Sequence, residues 1–202
     1  MTKIIAITGG IGSGKSTLSR YLKKLNYPVH ESDKVVFEMY QNPKKNFINF
    51  IKECGLKDVI KVKKINKKLI TNKIFNNLTL KNKLEKFIHK EVKNQREGFI
   101  KKNLKIKKKA IFIDIPLLLE KKLEHNFDLV LCIISTKKNR IKRVLKKNKF
   151  SKNILNKIIK NQTTDKERRS RSSIIIYNNK TKKDFIFNSQ KALIDILKWE
   201  RL

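Results

Sequence analysis

Gly9-Gly10-Ile11-Gly12-Ser13-Gly14-Lys15-Ser16 limits what this chain can fold into more than any other stretch. It matches G-x-x-x-x-G-K-[ST] and has the flanks such a loop requires. Before it, residues 4–8 form a short apolar run suited to a buried strand. After it, residues 15–25 place Leu18, Leu22 and Leu25 on one helical face. Glycines let backbone amides turn inward and approach phosphate oxygens with no Cβ in the way. The helix that follows adds the partial positive charge of its N-terminus. Gly10, Ile11, Gly12, Ser13 and Gly14 thus become the amide cradle of a nucleoside triphosphate. Lys15 reaches the β- and γ-phosphates, the Ser16 hydroxyl can ligate Mg²⁺, and Thr17 adds a bond to the α-phosphate. A glycine-rich turn that merely ended a strand would have no need of the Lys-Ser pair.

The rest of the chain supplies a sheet for that loop. Residues 27–30 make a brief second strand carrying Pro28, and residues 110–115, 128–135 and 173–177 are continuous apolar runs. Continuous rather than alternating apolar strands are what a parallel sheet covered on both faces requires. Between residues 32 and 109 the periodicity is helical, with Leu69, Ile70, Ile74 and Phe75, then Leu84, Phe87, Ile88 and Val92, on stripes. Thr136, Ser151 and Ser189 stand where they could cap three later helices. The expectation is a three-layer α/β domain with a five-stranded parallel sheet, interrupted by a long helical insertion.

Composition excludes several classes. At 202 residues with 39% hydrophobic residues the chain can bury a core without disulfides or metal. Cys54 and Cys132 lie far apart and form no CxxC pair, which points to a reducing compartment and so to the cytoplasm. No apolar run approaches the roughly 18 residues of a membrane span. Lys plus Arg is 51 against 17 acidic residues, a net charge of +34. Such a field attracts polyanions. Yet the lysines run from Lys3 to Lys198 with only modest clusters, such as Lys63-Lys64, and Asn and Ile are abundant beside them. That pattern fits A/T-rich codon usage better than a nucleic-acid face, so no specific nucleic-acid partner is expected.

A phosphate cradle does not say where the phosphate goes. A guanine-reading N/T-K-x-D is missing, because Asn179-Lys180-Thr181 is followed by Lys182; a D-x-x-G switch is missing as well. A switch GTPase is therefore not expected. Asp33, just past the second strand, has two readings: an acceptor-side carboxylate at the nucleotide-binding edge of the sheet, or a helix N-terminal charge favoured by the dipole. Asp114, ending the third main strand, either holds Mg²⁺ through water or orients Pro116 and the turn after it.

Taken in order, residues 8–17, residues 29–33, Ile74-Phe75, Phe87-Ile88-His89, Pro116-Leu117-Leu118-Leu119-Glu120, Gln162 and Asn178 closely resemble the dephospho-coenzyme A kinase family. The likeness spans nearly the whole chain. It implies a P-loop kinase fold with a nucleotide-binding core (residues 1–35 and 110–202), a helical acceptor-binding insertion (36–109) and a helical lid (about 140–172). It also implies transfer of the γ-phosphoryl of ATP to the ribose 3′-hydroxyl of dephospho-coenzyme A. Asp33 matches the carboxylate that acts as base on that hydroxyl. Lys15 and Arg143, the latter a lid arginine, are the implied catalytic cations. Arg168 matches a nucleotide-contacting lid position, and His89 a substrate-binding one. The implied enzyme is a cytoplasmic monomer working with Mg²⁺.

Departures from the family pattern fall outside the loop and Asp33. Glu31 replaces an Asp, and Lys90 stands where Pro commonly follows the histidine. Ser173 stands for an Asp, and Lys147 for a second lid arginine, keeping the charge but losing the planar fork.

Overall fold

The computed structural model describes residues 1–62, 64–75, 77–147 and 151–198; Lys63 and residues 148–150 of the expected lid lie outside the described residues. In chain order the elements are β1 (Lys3–Thr8), α1 (Lys15–Lys24), β2 (Val29–Glu31), α2 (Ser32–Gln41), α3 (Lys45–Glu53), β3 (Ile60–Lys61), β4 (Lys64–Ile65), α4 (Lys67–Ile74) and α5 (Leu78–Lys105). Then come β5 (Ala110–Asp114), β6 (Leu129–Ile134), α6 (Lys137–Leu145), α7 (Lys152–Lys160), α8 (Asp165–Ser170), β7 (Ile174–Tyr177) and α9 (Lys182–Lys198). They form two compact units, Met1–Glu31 with Ile100–Leu202, and Ser32–Phe99.

The first unit is a five-stranded sheet of order β2-β5-β1-β6-β7 with helices around it, every pair parallel. All residues of β5 and β6 are buried, which is why these strands read as unbroken apolar runs. Ile5, Ile7, Phe112 and Ile133 from the central strands meet Leu18 and Leu22 of α1 and Phe185, Leu193 and Ile196 of α9 in one core. Each such side chain contributes about 1.5–3 kcal/mol over its exposed state, so the sheet fixes the loop that follows β1. The register sets Ile7 beside Asp114 and Thr8 beside Cys132, lining up the carboxyl ends of the three central strands. A parallel sheet presents its ligand site at those ends.

The second unit has its own core of Met39, Tyr40, Phe47, Ile51, Leu56, Val59, Ile65, Ile70 and Leu84. Phe87 stacks on Phe50 with centroids 4.2 Å apart and on Phe47 at 5.4 Å, while Tyr40 meets Phe47 edge-on at 5.4 Å. Burial pushes the Tyr40 phenol up to about 12, so it serves as packing rather than as an acid.

Two local expectations are corrected. The insertion is not wholly helical: β3 and β4 pair as a small antiparallel hairpin. Strands of two residues are too short to show a period of two, and only Ile65 of the four is buried. Ser189 does not cap the terminal helix. It lies inside α9, buried, with its hydroxyl donating to the Phe185 carbonyl at 2.7 Å. The cap is Thr181, whose Oγ1 accepts from the Asp184 amide at 3.2 Å while Asp184 Oδ2 accepts from the Thr181 amide at 3.1 Å. Thr181-Lys182-Lys183-Asp184 is a T-x-x-D capping pattern that a search for S/T-x-x-[DE] would have found. Thr136 and Ser151 do cap α6 and α7. Among the described residues, no helix is long and apolar enough to cross a membrane.

These caps give a direct comparison. Thr181→Ala is expected to lower stability by about 1 kcal/mol, and Ser189→Ala by less than about half of that, because its i−4 bond supports no terminus. Urea midpoints of the two variants measure both; a larger loss at Ser189 would contradict the cap assignment.

Candidate active site

The loop between β1 and α1 is shaped by two glycines that L side chains could not replace. Gly12 has φ 75° and Gly14 φ 122°, both in the left-handed region. At Gly12 a Cβ would also press to 2.6 Å from the Arg140 carbonyl and 2.9 Å from Val144 Cγ2, so α6 packs directly against the loop. Gly14 is the N-cap of α1 and offers no side-chain bond to its first turn, leaving that helix end to a ligand. Its carbonyl accepts the Thr17 and Leu18 amides at 2.9 and 3.1 Å.

Protein groups occupy several of the loop's binding functions. Lys15 Nζ donates to the Gly9 carbonyl at 2.7 Å. The Ile11 amide donates to Gln162 Oε1 at 2.9 Å, so a side-chain oxygen holds a donor that a phosphate oxygen would take. Ser16 is exposed at the start of α1. One turn along the same helix, the buried Ser19 hydroxyl donates to Asp114 Oδ2 at 3.3 Å. Asp114 is itself only 8% exposed at the end of β5.

The rear of the loop is braced by two residues. Asn178, buried just past β7, donates from Nδ2 to the Ser13 carbonyl at 2.6 Å. Arg143, the lid arginine that the resemblance assigns to catalysis, here donates from its guanidinium to the Asn178 carbonyl (2.8 Å), Asn178 Oδ1 (3.1 Å) and Ser135 Oγ (3.0 Å), with the Gly12 and Ser13 carbonyls at 3.5 Å. Burial lowers its pKa without removing the charge, since a guanidinium stays protonated in proteins. The family resemblance includes Asn178 but implies no role for it. Its contact is made 165 positions away, beyond any spacing pattern.

Arg168 on α8 is buried, with Nη1 donating to Asp165 Oδ1 at 2.7 Å and Nη2 3.9 Å from Glu120 Oε1. Glu120 also accepts the Thr163 amide at 2.8 Å, tying the start of this segment to the turn after β5. Thr164 and Glu167 form a capping box that sets the orientation of α8. Cys132 lies beneath the loop on β6. Burial pushes its thiol up to about 11 despite the nearby charges of Arg168 and Lys15, so no thiolate forms there.

Lys15, Ser16, Asp114, Arg143 and Arg168 therefore gather at the carboxyl ends of the first unit's strands. Asp33 and His89 belong to the second unit, Asp33 exposed in the first turn of α2 and His89 on α5. His89 is exposed.

Comparison with known proteins agrees with this geometry. A family model described as dephospho-CoA kinase matches residues 3–184. A dephospho-CoA kinase of Fusobacterium nucleatum is 33% identical over 183 residues, covering 90% of this chain and 92% of that protein. The solved structure of a dephospho-CoA kinase from Campylobacter jejuni superposes with a TM-score of 0.73 at 26% identity, covering 98% of both chains. A Thermus thermophilus structure shares the fold with a TM-score of 0.79 at 24% identity, over 98% of this chain and 99% of that one.

If Asn178 keeps the loop in its binding shape, Asn178→Ala costs about 1–3 kcal/mol of stability and weakens ATP binding about tenfold. Calorimetric titration with ATP reads the second effect; unchanged affinity would show that the loop holds its form without the brace.

Proposed function

The chain belongs to the dephospho-CoA kinase family, and from that premise we propose how its residues divide the work. The enzyme transfers the terminal phosphoryl of ATP to dephospho-CoA, the last step of coenzyme A biosynthesis. The acceptor is the ribose 3′-hydroxyl. The observation that carries the assignment of roles is the glycine-shaped loop with Lys15 at its rim and an uncapped helix end behind it.

ATP enters with its phosphates along the amides of residues 10–17. Lys15 exchanges the Gly9 carbonyl for phosphate oxygens, and the Ile11 amide exchanges Gln162 for another. Arg168 neutralises charge on the phosphoryl from α8, within the lid at about 140–172. Arg143 is given a positioning role: its bonds to Asn178 and Ser135 hold the loop from behind.

A divalent ion fits the oxygen donors present. The exposed Ser16 hydroxyl stands one turn before Ser19 on α1, and the Ser19 hydroxyl bonds the Asp114 carboxylate at the end of β5; Ser16 and Asp114 both offer hard oxygen ligands. Among the described residues no cluster of three or more His, Cys, Asp or Glu forms a cage. Ser16 and Asp114 would thus hold Mg²⁺ jointly with the nucleotide, the ion offsetting phosphate charge.

The acceptor's nucleotide-like body is assigned to the Ser32–Phe99 unit, with His89 as a contact. Asp33 takes the proton of the 3′-hydroxyl as its oxygen bonds to the γ-phosphorus. The bond to the bridging oxygen breaks and ADP leaves. Asp33 lies two residues past Glu31, the last residue of β2, which registers with Asp114; this chain position supports the reading. Phosphoryl transfer asks little beyond such positioning and charge stabilisation. The enzyme is assigned to the cytoplasm as a monomer. Its two free cysteines support a reducing compartment.

A coupled ADP-release assay with dephospho-CoA, and with a nucleoside as control acceptor, tests the assignment. Lys15→Ala is expected to lose ATP affinity and turnover together. Asp33→Asn is expected to keep ATP affinity within about threefold while turnover falls about 10²–10⁴-fold. Equal loss of ATP affinity in both variants would show that Asp33 has the wrong role.

A further inference from the structure

Two guanidinium groups stand over the first turn of the phosphate loop, and the sequence pointed to only one of them. Arg140 lies one helical turn before Arg143 on α6, so the two side chains leave the helix near the same face. Their destinations differ. Arg143 goes behind the loop, whereas Arg140 reaches its front. A Cβ on Gly10 would collide with Arg140 Nη1, would stand 3.1 Å from its Cζ, and would come to 3.4 Å from Arg168 Nη1. The space above Gly10 is therefore filled by charge, which is a separate reason for glycine there.

The two arginines are not equally provided for. Arg168 has Asp165 at 2.7 Å and Glu120 at 3.9 Å. Arg140 shares Asp165 at 3.8 Å, too far for a hydrogen bond. Its side chain is 7% exposed, and its buried Nε has no hydrogen-bond partner among the described residues. Burial opposes its charge, Arg168 adds to that opposition, and Asp165 works against both. A buried guanidinium with an unmet donor is costly unless an anion arrives to satisfy it. Its helix is packed against Gly12, so the group is held in place in advance.

The helix-end amides and Lys15 serve the α/β and β/γ phosphates. That leaves the terminal phosphoryl as the cluster of oxygens set against Gly10. We propose that Arg140 is a catalytic residue of this kinase, donating from its guanidinium to the terminal phosphoryl of ATP opposite Arg168, with Asp165 as the shared counter-ion that holds both arginines until nucleotide binds. The proposal rests on the loop being an ATP site, as assigned above. It stands beside the positioning role given to Arg143, which braces the loop through Asn178 and Ser135.

Arg140→Gln and Arg140→Lys, compared with wild type, test it through melting temperature, separate ATP and ADP affinities, and kcat on dephospho-CoA. In Arg140→Gln, ATP affinity is expected to fall about tenfold or more with ADP affinity within about threefold, and kcat to fall about 10²–10³-fold. Arg140→Lys is expected to recover part of the ATP affinity and little of kcat, since an ammonium lacks the planar fork. A kcat within about threefold of wild type in the Gln variant overturns the proposal, as does equal loss of ATP and ADP affinity. If the Gln variant fails to fold, full activity in Arg140→Lys overturns it by itself. Wild-type turnover is measured in the same assay: its absence would defeat the choice of acceptor, while the ATP-to-ADP difference would still decide the place of Arg140.

Discussion

An amide cradle binds phosphate well only if its N–H groups already point inward when the ligand arrives, since ordering them afterwards would consume the binding energy. In this chain that shape is imposed from three sides. Gly12 and Gly14 take left-handed conformations closed to other residues, and α6 leaves room only for a hydrogen at Gly12. From the rear, Asn178 holds the Ser13 carbonyl, and Arg143 clamps Asn178 in turn. The loop is thus fixed by β6, β7 and α6 together, and those elements owe their places to a sheet core whose central strands are buried throughout.

Charge is used at two scales. The net +34 is spread over a lysine-rich surface, where at physiological salt each charge is screened within about 8 Å. Near the loop a few cations are taken out of water, where they act far more strongly on what they touch. Asp165 and Glu120 keep that cluster tolerable, and the capping box of α8 fixes the helix that carries Arg168. The abundance of lysine says little about function; the placement of the buried arginines says much.

Much of this was legible in the chain before any coordinates. The loop could be read because its chemistry is local: glycines, Lys15 and Ser16 stand within eight consecutive residues between a strand and a helix. The parallel sheet was legible because strands buried on both faces must be continuously apolar. The hairpin at Ile60–Lys61 and Lys64–Ile65 was hidden by its shortness, and Ser189 misled because a serine inside a helix can satisfy its hydroxyl on the carbonyl four residues back. Arg140 was passed over beside Arg143, since both lie on one face of α6 and only tertiary packing sends one behind the loop and the other above it.

The central claim is that one carboxylate aligns a sugar hydroxyl against the end of a triphosphate held by the loop. A crystal structure with a non-hydrolysable ATP analogue and dephospho-CoA bound together measures it most directly. The account predicts triphosphate oxygens on the amides of residues 10–16 and an Asp33 carboxylate oxygen at about 2.6–3.2 Å from the ribose 3′-oxygen. A saturated ternary complex with the loop empty of triphosphate, or with Asp33 turned into solvent away from that oxygen, would contradict it.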